Sequence, residues 1–104
     1  DEIQRMLCAV QDAAPDAALA GHYHDTNARA LENIEASIAQ GVYVFDAAIG
    51  GLGGCPYAPG ASGNVATEAV AVRLAELGIE TGLDLDILKQ AAELARRMRS
   101  GAVT

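Results

Sequence analysis

The order of apolar and polar positions divides the chain into alternating helices and strands. Ile3, Met6, Leu7 and Val10 recur at helical spacing and predict an amphipathic helix over residues 1–14. Asp1 and Glu2 suit its positive N-terminal end, and Pro15 with Asp16 stops it. Residues 17–23 are small and apolar and predict a buried strand. Thr26 is placed as the N-cap of a second helix over residues 27–40, with Leu31, Ile34 and Ile38 on one face and Gly41 at its end. The continuous apolar run Val42, Tyr43, Val44, Phe45 opens a second strand over residues 42–47, expected to be buried on both faces.

A glycine-rich loop follows over residues 49–64, IGGLGGCPYAPGASGN, and a loop of that length inside a compact domain is usually functional. Thr67 and Glu68 open a third helix that runs through Val70, Leu74 and Leu77 to Gly78. Asp84 is the expected N-cap of a last helix over residues 85–100. Leu88, Ala91, Ala92, Ala95 and Met98 give that helix a packing face, and Gly101 ends it. A very short third strand over residues 62–65 also fits the pattern. Strands alternating with helices imply an α/β fold with a parallel sheet and right-handed crossovers. A complete (β/α)8 barrel takes about 250 residues. The 104 residues here read as its C-terminal part, the last three βα units, forming one partial-barrel domain over residues 1–104 with the N-terminal strands missing. Such a piece leaves a strand edge and an inner sheet face uncovered. It is therefore expected to associate with the missing portion or with a copy of itself.

Composition narrows the function. About half of the residues are apolar, spread along the whole chain, which excludes a disordered segment. The formal net charge of −7 lacks the basic footprint of a nucleic-acid binder. Arg96, Arg97 and Arg99 cluster near the C-terminus, where they read as cations of a last helical turn rather than as an anion site. No apolar run approaches the length of a membrane span, and no secretory or transit segment is recognisable. A cytoplasmic location, or a mitochondrial matrix, is the expectation. Cys8 and Cys55 do not make a disulfide framework.

The candidate chemistry lies at the C-terminal ends of the strands. His22 and His24 are one residue apart, so on extended backbone both imidazoles point to the same side. They are either ligands of one metal ion or exposed strand-end histidines. Asp25 either orients a ligating histidine or serves the start of the next helix; the two roles are compatible. Cys55 sits in the middle of the glycine-rich loop, before Pro56, as a general acid or nucleophile delivered to a site or as a bystander thiol. A phosphate cradle is disfavoured, because the Lys-Ser/Thr ending of a P-loop is absent. Asn64 either caps the third helix or presents its amide oxygen to a metal. Two imidazoles plus an oxygen, with room for water, suit Mg²⁺ or Mn²⁺ better than Zn²⁺.

The run His22-Tyr23-His24-Asp25-Thr26, then Ala30-Leu31 and Asn33, Phe45-Asp46-Ala47, GGLGGCPYAPGASGN and Ala66-Thr67-Glu68 resembles the hydroxymethylglutaryl-CoA lyase family. The likeness extends from about Gly21 to Asp84, and the Gly-Gly-Cys-Pro-Tyr loop is its most specific part. It implies a TIM barrel with a divalent cation, Mg²⁺ or Mn²⁺, at its C-terminal face. It implies His22, His24 and Asn64 as metal ligands, and Cys55 and His22 as catalytic residues. The implied reaction cleaves 3-hydroxy-3-methylglutaryl-CoA to acetyl-CoA and acetoacetate, so the implied partner is an acyl-CoA. A related acyl-CoA lyase or synthase, or a non-catalytic partial-barrel interaction module, is the alternative. Two departures stand out. Ala28 occupies a position where the family usually carries glycine, and in a first helical turn this is expected to be harmless. The family's first-strand Asp-Arg-Glu segment, which supplies a metal carboxylate and an arginine, has no counterpart here.

Overall fold

The computed structural model describes residues 2–53 and 63–99. In chain order these form α1 (Glu2–Ala13), β1 (Ala20–His22), α2 (Ala30–Ala39), β2 (Val44–Asp46), α3 (Thr67–Glu76) and α4 (Leu85–Arg99). Short 3-10 turns lie at Thr26–Ala28 and Ile49–Gly51. β1 and β2 pair in parallel with Ala20 opposite Val44, Gly21 opposite Phe45 and His22 opposite Asp46. The expected parallel α/β arrangement is therefore present, with shorter strands than the apolar runs suggest.

The two faces of this pair differ. Tyr23 and Phe45 turn toward the helices and pack on a buried cluster of Ala30, Ile34, Val65 and Val70, joined by Leu31, Ile38 and Leu74. Gly21 lies under the same two rings. A Cβ there would stand 2.7 Å from Phe45 Cδ1 and 3.0 Å from Tyr23 Cε2, so only glycine lets the aromatic side chains close over the strand. Ser37 is fully buried, and its hydroxyl has two partners: it donates to the Asn33 carbonyl at 2.7 Å and accepts from the Tyr23 hydroxyl at 2.6 Å. That pair of bonds ties β1 to α2 without leaving a buried hydroxyl unpaired. At the rim, Arg73 of α3 donates to Glu35 of α2, and this bond raises the guanidinium pKa above its ordinary value.

The opposite face is open among the described residues. His22 and Asp46 are exposed there, and Val44 is 60% exposed. Burial of residues 42–47 on both faces is thus not observed. A continuous apolar run signals two-sided burial only where layers cover both sides, and helices here cover one.

The start of α2 also departs from expectation. Thr26 does not cap a helix beginning at residue 27. Residues 26–28 form a separate turn in which Asn27 and Ala28 have φ of +57° and +56°, and α2 begins at Ala30. The Ala30 N–H donates to the Asp25 carboxylate at 3.3 Å, so Asp25 supports the helix start. Ala28 is consequently strained rather than harmless. Left-handed backbone costs an L-residue about 1–2 kcal/mol, which explains a glycine preference at this position. Replacing Ala28 by glycine removes that strain and gives back part of the gain as unfolded-state entropy. Ala28→Gly is expected to raise the unfolding free energy by about 0.5–1 kcal/mol in equilibrium urea denaturation, and an unchanged or lower midpoint would contradict this account.

Candidate metal centre

Beyond β1 the chain stays extended through Tyr23 and His24, and a short segment comes in beside it. The Asp25 N–H donates to the Gly63 carbonyl at 3.1 Å, and the Val65 N–H donates to the Tyr23 carbonyl at 3.2 Å. These two bonds bracket an antiparallel bridge between His24 and Asn64. In a bridge bracketed this way the opposed residues are the non-hydrogen-bonded kind, whose side chains lie closest, at a Cα separation of about 4.5 Å. On its other side the segment is held by Ala48, whose N–H donates to the Val65 carbonyl at 3.1 Å and whose carbonyl accepts from the Thr67 N–H at 2.9 Å. The short third strand expected over residues 62–65 is thus a pair of isolated bridges at Asn64 and Ala66, wedged between the C-terminal ends of β1 and β2.

This wedge brings three of the expected site residues together. The His22 and His24 rings share one side of the strand, with centroids 5.6 Å apart and planes inclined at 51°. Asn64 stands opposite His24 and does not cap α3, whose first residue is preceded by Ala66 with no side-chain cap. The Asn64 Nδ2 donates to the Leu52 carbonyl at 3.0 Å, while Oδ1 is buried and has no partner. A carbonyl can only accept, so the contact with Leu52 fixes which end of the amide is nitrogen. The orphan is therefore the oxygen. Leaving a buried acceptor unpaired costs about 1–3 kcal/mol, and a cation or its bound water would relieve that cost. Cys55 lies outside the described residues. Among the described residues no three His, Cys, Asp or Glu side chains gather round one point, so the donors at hand are two imidazoles and one amide oxygen.

Both ends of the loop over residues 49–64 are pinned by close backbone approach. A Cβ on Gly63 would meet the carbonyl oxygens of Gly53 and Gly51 at 2.5 and 2.7 Å, and one on Gly53 would stand 2.8 Å from Asn64 Nδ2. The turn at Ile49–Gly51 is anchored from below. Glu68 Oε1 accepts the Gly50 N–H at 3.0 Å, and Glu68 Oε2 lies 3.6 Å from the Arg96 guanidinium, which also contacts Glu93 at 3.2 Å. Arg96 therefore reaches back to α3 instead of serving only as a helix-end cation. Ala92 and Ala95 of α4 are buried, and a Cβ on Gly50 would lie 3.2 Å from that of Ala95, so small residues admit the turn against the helix.

Two residues of this region enter the sequence reading within the family-like runs, with no site role assigned to them. Glu68 appears in sequence as an ordinary first-turn carboxylate. Asp46 becomes a neighbour of His22 only through the parallel register, with Oδ2 3.5 Å from His22 Nδ1.

A family model described as HMGL-like matches residues 1–95. The hydroxymethylglutaryl-CoA lyase of Pseudomonas mevalonii is 52% identical over 101 residues, covering 92% of this chain and 33% of that protein. The crystal structure of the HMG-CoA lyase from Brucella melitensis superposes with a TM-score of 0.86 at 56% identity, covering 94% of this chain and 35% of that one. A structure of an HMG-CoA lyase from Acenitobacter baumannii in complex with coenzyme A and 3-methylmalate superposes at 0.79 with 41% identity, covering 94% and 31%. The chain thus spans about a third of the length of the relatives it matches.

The Glu68 anchor makes a graded expectation. Glu68→Gln keeps an acceptor for Gly50 but drops the attraction to Arg96, and should cost about 0.5 kcal/mol. Glu68→Leu removes both and should cost about 2 kcal/mol. Thermal denaturation of the two variants checks the order, and equal losses would remove the Gly50 bond from the account.

Proposed function

The chain belongs to the HMGL-like family, and from that premise we propose that it is the metal-binding C-terminal portion of a (β/α)8 carbon–carbon lyase. The proposed reaction splits 3-hydroxy-3-methylglutaryl-CoA into acetyl-CoA and acetoacetate. Residues 1–104 form one partial-barrel unit in this reading, and the remaining strands pack on the open edge of β1 and over the uncovered face of the sheet. Those strands supply the donors missing from the site. Among the described residues no helix is long and apolar enough to cross a membrane.

The observation that carries the reading is the His22–His24 ring pair at the C-terminal end of a parallel strand, with Asn64 bridged opposite His24 and its buried Oδ1 left without a partner. In barrels of this kind that end is where chemistry is carried out. The donor set fits a divalent cation, Mg²⁺ or Mn²⁺, held by His22 Nε2, by His24 and by Asn64 Oδ1. Such an ion, when bound, supplies positive charge that acidifies a coordinated hydroxyl and favours breakage of the adjacent C–C bond. His22 takes part in the reaction through its place in that donor set. A base takes the proton of that hydroxyl, the C–C bond breaks, and Cys55 donates the proton of its Sγ to the carbon left carrying the electron pair. The tight contacts of Gly53 and Gly63 hold the two ends of the Cys55 loop beside Asn64, so the loop enters and leaves next to the metal donors.

The test uses the full-length protein with Mg²⁺ or Mn²⁺ and 3-hydroxy-3-methylglutaryl-CoA, following acetoacetate. Cleavage is expected, and its absence would turn the reading toward a related acyl-CoA. Cys55→Ser should keep metal binding and lose about 10²–10⁴-fold in turnover. His24→Ala should weaken metal binding, with activity partly restored by excess metal. Full turnover by Cys55→Ser would take the thiol out of the mechanism.

A further inference from the structure

We propose that Asp46 is a positioning residue for the His22 imidazole, holding Nδ1 so that Nε2 is presented to the cation. The inference rests on the reading of His22, His24 and Asn64 as metal donors and goes beyond it. Its basis is the strand register. His22 and Asp46 are direct partners across the β1–β2 pair, both on the uncovered face, with Asp46 Oδ2 3.5 Å from His22 Nδ1. Tyr23 and Phe45, their chain neighbours, are committed to the helical side. Side-chain alternation therefore leaves His22 and Asp46 facing each other.

The chemistry of the two groups gives the contact a direction. A carboxylate only accepts, and a neutral imidazole carries one N–H and one lone pair. An Nδ1–H bond to Asp46, closed from this 3.5 Å approach, would select the tautomer protonated at Nδ1 and leave the lone pair on Nε2. It also limits rotation of the ring. A direct ligand role for Asp46 fits less well, because among the described residues His22, His24 and Asp46 do not converge on one point. A plain surface ion pair is the remaining account. His22 and Asp46 are 54% and 68% exposed, and a pair of that kind contributes little to folding. Such a pair has no reason to influence metal affinity, and that difference makes the proposal testable.

The experiment measures Mn²⁺ binding by titration of the full-length protein and its Asp46→Ala, Asp46→Asn and His24→Ala variants. Thermal melting controls for folding, and nitrogen-15 NMR reports the His22 tautomer in the metal-free protein. Asp46→Ala is expected to weaken Mn²⁺ binding about 10- to 100-fold at unchanged melting temperature, with loss of the Nδ1–H tautomer preference. Asp46→Asn keeps an acceptor without the charge and should fall between wild type and Asp46→Ala, with the tautomer retained. Wild-type Mn²⁺ affinity in Asp46→Ala would overturn the proposal. So would an Asp46→Asn variant as defective as His24→Ala, which would make Asp46 a ligand. If His24→Ala binds Mn²⁺ normally, the metal reading itself fails, and the proposal falls with it; a defect in His24→Ala without one in Asp46→Ala overturns the positioning role alone.

Discussion

Core and candidate site depend on the two-residue period of extended backbone through Gly21, His22, Tyr23 and His24. Odd positions face the helices and even positions face away from them. Tyr23 is drawn inward by the apolar cluster around Ile34 and by its bond to Ser37, and Gly21 clears the space that the Tyr23 and Phe45 rings require. Once Tyr23 is fixed, His22 and His24 have to share the other side. A one-residue slip would bury both imidazoles among aliphatic side chains and expose the aromatic pair. Packing on one face therefore aims the donors on the other.

The second structural decision is the wedge of residues 63–67 between the strand ends. It is held by four backbone bonds, two to the chain beyond β1 and two to Ala48 beyond β2. Val65 at its centre is buried with the helical cluster, so the wedge is seated by the same hydrophobic core that orients Tyr23. Asn64 is its neighbour in sequence and lies opposite His24. The amide is then pulled toward the Leu52 carbonyl through its nitrogen, and its oxygen is left in a buried place with nothing to bond. A group of this kind is costly to maintain in a core and is characteristic of a site completed by something outside the protein atoms.

Support for the site comes from outside the strands. The turn at Ile49–Gly51 sits between α3 and α4, hydrogen-bonded to Glu68 and packed on Ala92 and Ala95. The Leu52 carbonyl that holds Asn64 follows that turn directly. Small residues on α4 thus matter through how near they let the turn approach. The strained backbone at Asn27 and Ala28 adjoins the same region, one residue after the Asp25-Thr26 step out of the site. Deviations from ideal backbone commonly cluster around functional positions for this reason.

Local pattern was enough to determine much of this protein. Helical periodicity located α1, α2, α3 and α4, the apolar runs located both strands, and the His-x-His spacing placed two imidazoles on one side, because these depend on residues close in sequence. The motifs around His22, the glycine-rich loop and Asn64 identified the family, which the family model and the relatives bear out. Tertiary structure decided the rest. Left-handed Asn27 and Ala28 arise because the chain turns out of β1 before α2 can dock, and propensity alone would start the helix early. The Asp46 contact with His22 depends on a parallel register between strands more than twenty residues apart. The reach of Arg96 to Glu68 depends on how α4 lies against α3. These pairings are set by packing between distant segments, whose free energy has no local signature in the chain.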